Sequence, residues 1–243
     1  MTEMIDAVRA ALNSGATTSS QLVEACLARA AAPDGEGSRA FVSLFAEQAM
    51  AEAEAIDRRR RAGLWTGLLG GIPISIKDLF DVRGRATTAG SRVLAGSTPA
   101  VSDAAIVTRL RAAGAVIVGR TNMTEFAFSG LGLNPHYGTP ANPYDRAARR
   151  IPGGSSSGAA VSVSDGMCVA AIGTDTGGSV RIPAALCGLV GFKPTAARIP
   201  LAGALPLSAS LDSIGPIGRT VGCCRSIDAI LCERDVGDGW PAK

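Results

Sequence analysis

Two short stretches of this 243-residue chain concentrate glycine with small hydroxyl residues: Pro152-Gly153-Gly154-Ser155-Ser156-Ser157-Gly158 and Gly173-Thr174-Asp175-Thr176-Gly177-Gly178-Ser179. Glycine pairs let a backbone turn sharply and present successive N–H groups to an anion. The same composition also suits plain tight turns between buried elements. Neither stretch is a phosphate cradle, because Gly158 is followed by Ala159 and no lysine lies nearby. Gly154-Ser155-Ser156-Ser157-Gly158 satisfies the G-x-S-x-G pattern, which would make Ser156 a nucleophile. That chemistry needs an acid and then a histidine after the serine, and the single histidine, His136, precedes it. His136 is expected to sit in a structured loop.

The other way to activate a serine is a lysine, and the chain has three: Lys77, Lys193 and Lys243. Lys243 ends the chain and Lys193 follows a strand-like run. Lys77 lies in Ile74-Ser75-Ile76-Lys77-Asp78-Leu79-Phe80, among apolar neighbours. A lysine is a base only when neutral, so its ordinary pKa of about 10.4 must fall by roughly three units, the direction that apolar burial supplies. Asp78 would oppose the fall, but along an extended strand it points to the opposite face. Ile74 and Val190 stand three residues before Lys77 and Lys193, so there is no S-x-x-K arrangement.

These residues need a scaffold. Apolar periodicity predicts helices over 2–13, 19–32 (Ser19 or Ser20 as N-cap), 45–61, 103–113 and 220–233. Strand-like runs occur at 74–80, 113–119 and 189–195, with loops at 129–145 and 199–216 and an apolar run at 159–173. Strands alternating with helices through glycine-rich connections predict an α/β fold of three layers. The expected organisation is a helical segment 1–62 packed on a core 63–235, followed by a tail 236–243.

Composition excludes several classes. The net charge of +3 is too small for a nucleic-acid footprint, and the Arg58–Arg61 run suits the last turn of a helix. No apolar run is long enough to span a membrane, and the acidic N-terminus is not a signal peptide. Six cysteines without metal-like spacing read as buried or free thiols in a reducing cytosol, so a cytoplasmic location is expected.

The segments Gly70-Gly71-Ile72-Pro73-Ile74-Ser75-Ile76-Lys77-Asp78, Pro152–Gly158 and Gly173–Thr195 appear in this order, followed by Leu211-Asp212-Ser213-Ile214-Gly215-Pro216. Together they resemble the amidase signature family of serine amidohydrolases, over essentially the whole chain. The resemblance implies a three-layer α/β/α fold with a mixed central sheet. It implies a catalytic triad of Lys77, Ser155 (preceded by a cis peptide bond) and Ser179 as nucleophile. The backbone N–H groups of Thr176, Gly177, Gly178 and Ser179 would form the oxyanion hole, with Asp175 and Arg181 supporting the loop. No metal or organic cofactor is implied. Family members continue well past residue 216, so the C-terminal part of the fold is expected to be missing, leaving an open sheet edge and uncovered apolar helix faces.

The expected activity is hydrolysis of a small-molecule carboxamide, with no nucleic-acid or membrane partner; a homo-oligomer stays open. Two other readings remain: the glutaminase-type subunit of a tRNA-dependent amidotransferase, and a truncated, catalytically silent fragment.

Overall fold

The computed structural model describes residues Met4–Glu233; the expected tail and Lys243 lie outside the described residues. Six strands form one mixed sheet in the order β1-β3-β2-β4-β6-β5: β1 Phe41–Leu44, β2 Pro73–Lys77, β3 Val116–Thr121, β4 Ala170–Asp175, β5 Val190–Gly191 and β6 Ser213–Gly218. The central β3, β2 and β4 run parallel, whereas β1, β5 and β6 pair antiparallel. Alternation along the strands splits the core in two. Ile74, Ile76, Ile117, Ala170, Ile172 and Ile214 face one layer, built on α1 Ile5–Ser14, α5 Ala105–Ala112 and α8 Val221–Leu231. Val116, Val118, Ala171 and Ile217 face the other, built on α2 Ser19–Ala31, α3 Gly37–Ala40, α4 Ala46–Arg61, α6 Ser157–Ser164 and α7 Arg181–Leu186. The architecture is thus the expected three-layer α/β/α sandwich with a mixed sheet.

Local details depart from the sequence reading. Thr18, not Ser19 or Ser20, caps α2, in a reciprocal capping box with Gln21. Ser19 and Ser20 instead donate their backbone N–H groups to the Asp57 carboxylate at 2.8 and 2.9 Å, tying α2 to α4. The Arg58–Arg61 run does end α4, but Arg60 is not fully solvated: it donates to the Gly70 carbonyl at 2.7 Å. The N-terminal segment is not purely helical, since Phe41–Leu44 supplies the edge strand β1. The 159–173 run divides into the end of α6, a turn and β4. Residues 213–216, expected in a loop, belong to β6, whose pairing with β4 and β5 accommodates Pro216. Only Val190 and Gly191 of the 189–195 run are strand.

Glycine permits the closest contact between layers. A Cβ on Gly158 would lie 2.1 Å from the Ala40 carbonyl oxygen and 2.7 Å from the Asn122 nitrogen. Only a residue without a side chain lets the start of α6 pack so tightly against the backbone of those segments. Five of the six cysteines are buried. Among the described residues, no helix is long and apolar enough to cross a membrane.

Candidate active site

Lys77 and Thr174 end, or nearly end, the adjacent parallel strands β2 and β4. In open α/β sheets, the carboxyl ends of strands are where side chains from separate segments converge. Lys77 is wholly buried, and its Nζ lies 2.7 Å from Ser155 Oγ and 2.9 Å from Thr174 Oγ1. Ser155 lies in the glycine-serine turn leading into α6, and the Gly154–Ser155 peptide bond is cis. Thr124 donates its N–H to the Ser155 carbonyl at 3.0 Å, and Ser156 donates its own to the Ser179 carbonyl at 3.2 Å. That second bond joins the two glycine-rich stretches directly.

The lysine sits where its charge is disfavoured. Burial pulls its pKa from 10.5 down to about 7, against the opposing pull of the Asp175 and Asp212 carboxylates. Asp78 turns away, accepting from Thr88 Oγ1 and, at 3.0 Å, from the Gly90 N–H, with the Arg120 guanidinium 3.3 Å off. A base near neutrality beside a hydroxyl can draw a proton through that hydroxyl.

Asp175 organises the loop that follows β4. Its carboxylate accepts from the N–H groups of Gly178 (2.8 Å), Val180 (3.2 Å) and Arg181 (3.3 Å) and from the Arg181 side chain at 2.9 Å. Burial alone would raise its pKa, but the Arg181 guanidinium and these amides hold it below the ordinary carboxylate value. One expectation needs correction. The N–H of Gly178 is consumed by Asp175 and is not free for an oxyanion, whereas those of Thr176, Gly177 and Ser179 have no partner among the described residues. Ser179, nearly buried, follows this turn.

The remaining candidates lie apart. Ser156 Oγ packs against β4, 3.5 Å from the Thr174 carbonyl, in no position to follow the nucleophile-elbow pattern. His136 Nε2 pairs with Glu125 at 3.1 Å on the surface. Lys193 bonds the Pro194 carbonyl at 2.7 Å. Two residues of the site, Thr174 and Asp212, escape a reading of the sequence. Both stand within the motif segments, but nothing local announces that a threonine two residues past a pairing position reaches a lysine from another strand.

Several known proteins are similar to this chain. The Amidase family model matches residues 21–241. The A-subunit of glutamyl-tRNA(Gln) amidotransferase from Chloroflexus aggregans is 45% identical over the whole chain, which covers 50% of that relative. A crystallised amidase superposes with a TM-score of 0.88 at 41% identity, over 96% of this chain and 52% of its own. The native peptide amidase of Stenotrophomonas maltophilia gives a TM-score of 0.86 at 39% identity, over 98% of this chain and 50% of its own. The chain thus spans about half the length of the relatives it matches. It belongs to the amidase signature family.

Proposed function

We propose that the chain carries the catalytic centre for hydrolysis of a carboxamide C–N bond, with Ser179 as nucleophile and Ser155 and Lys77 as its proton relay. The observation that carries the reading is the wholly buried Lys77 amine, 2.7 Å from Ser155 Oγ and poised near neutral pH. Neutral Lys77 takes the Ser155 proton as Ser155 takes that of Ser179. The Ser179 oxygen then forms a bond to the amide carbon, and the carbonyl electron pair moves to oxygen. The N–H groups of Thr176, Gly177 and Ser179 are available to stabilise that oxyanion, a contribution of about 2.7–4 kcal/mol per donor in comparable sites. Collapse breaks the C–N bond, and the amine leaves with the proton returned through Ser155. Water then cleaves the Ser179 ester and regenerates the site.

The test is labelling by a fluorophosphonate probe, which phosphonylates an activated serine. Wild type should label and Ser179→Ala should not; labelling that survives the substitution defeats the assignment. An unreactive wild-type protein that is folded and monodisperse would favour the silent-fragment reading.

A second reading is favoured by the curated relative from Chloroflexus: the same site would serve the glutaminase-type component of a tRNA-dependent amidotransferase. Ammonia release from glutamine that depends on added partner proteins would select this reading. Release from simple amides by the chain alone would select the stand-alone amidase.

A further inference from the structure

We infer that Asp212 is a positioning residue that locks the Thr176–Ser179 turn to the segment packed over the lysine strand. Its Oδ1 accepts the Thr176 hydroxyl at 2.5 Å, and its Oδ2 accepts the N–H groups of Leu207 and Ser208 at 2.9 and 3.0 Å. Each carboxylate oxygen thus holds a different piece of chain. On one side, Thr176 opens the turn that ends in Ser179. On the other, the 203–208 segment lies across the exit of β2: the backbone N–H of Asp81 donates to the Gly203 carbonyl at 2.8 Å, and that of Leu205 donates to the Leu79 carbonyl at 2.9 Å. Asp212 itself is nearly buried at the start of β6, where Ser213 pairs with Asp175 at the end of β4. One side chain therefore ties the end of the Lys77 strand to the first residue of the nucleophile turn.

The two carboxylates divide the turn between them. Asp175 grips its far half through Gly178, Val180 and Arg181, and Asp212 grips its near half through Thr176. With Thr176 released, the Gly177 and Ser179 amides would no longer be aimed from two ends. Glycine on either side of the aim point offers no side chain to hold it. Asp212 also lies close enough to Lys77 to favour its charged form, opposing burial. Its removal should therefore have two separable consequences, one geometric and one electrostatic.

This inference rests on the proposed role of Ser179, and its test separates the two. The second-order rate of fluorophosphonate labelling is measured from pH 5 to 9 for wild type, Asp212→Asn and Thr176→Val. Absence of wild-type labelling would overturn the proposed function itself. If wild type labels, Asp212→Asn should cut the high-pH plateau at least tenfold and move the inflection to lower pH, because one of the carboxylates favouring the charged lysine is gone. Thr176→Val keeps the carboxylate and loses only the tie, so its plateau should fall with the inflection unmoved. Thr176 is half-buried, so this variant decides the matter should Asp212→Asn fail to fold. A Thr176→Val plateau within twofold of wild type overturns the inference. So does an Asp212→Asn profile that superposes on the wild-type one.

Discussion

The Lys77 amine stands between two hydroxyls contributed from opposite ends of α6: Ser155, in the turn before it, and Thr174, on the strand after it, with Nζ to Oγ1 at 2.9 Å. A neutral amine has two N–H groups and one lone pair. With Thr174 accepting one N–H, the lone pair can be turned towards the Ser155 proton, which is the orientation a base requires. The contact thus bears on which way the proton can move as well as on where the side chain lies.

The first expectation concerns pH. Only neutral Lys77 can act as base, and burial places its pKa at about 7. Labelling or turnover should rise about tenfold per pH unit below that point and level off above it. A rate independent of pH between 5 and 9 would remove lysine from the mechanism.

Folding should report the same group with its own sign. A lysine pulled from 10.5 to about 7 binds its proton less readily when folded, so it costs stability wherever the unfolded chain is protonated. The penalty, roughly 4–5 kcal/mol, is fully present below about pH 7 and is relieved as pH climbs towards 10.5. Urea denaturation of Lys77→Met against wild type should show the variant gaining most at pH 6 and its advantage shrinking by pH 9. Its labelling should fall about 10²–10⁴-fold, the range of a lost general base.

Thr174 should matter through its hydroxyl alone. Thr174→Val preserves the shape of the residue but removes the acceptor, and a net hydrogen bond of about 0.5–1.5 kcal/mol predicts a labelling rate lowered roughly two- to thirteenfold. Thr174→Ser should restore most of that rate. Equal losses in both variants would point to packing instead.

Gly158→Ala tests the close approach of α6. In an exposed helix this change stabilises by about 1 kcal/mol. Here the new Cβ would meet only backbone, the Ala40 carbonyl at 2.1 Å and both backbone polar atoms of Asn122 within 2.8 Å. Overpacking against atoms that cannot rotate away should reverse the sign and cost about 1–3 kcal/mol or more, read by chemical denaturation.

Much of this molecule is readable from residue order alone. Apolar periodicity places α1, α2, α4, α5 and α8 to within a few residues, because each buries one stripe against a sheet. The scarcity of histidine and lysine leaves Lys77 as the base worth considering, whereas the proposed roles of Ser155 and Ser179 come from the resemblance to the amidase signature family. What local pattern does not convey is pairing across the chain. Strand β6 contains Pro216 and two glycines, a composition typical of loops, and becomes a strand because β4 and β5 lie on either side to pair with it. Thr174, 97 residues from Lys77, and Asp212, 36 residues from Thr176, have their places for the same reason. Hydrogen-bond partners separated by tens of residues are chosen by the packed fold, whereas helix and strand tendencies are written in neighbours.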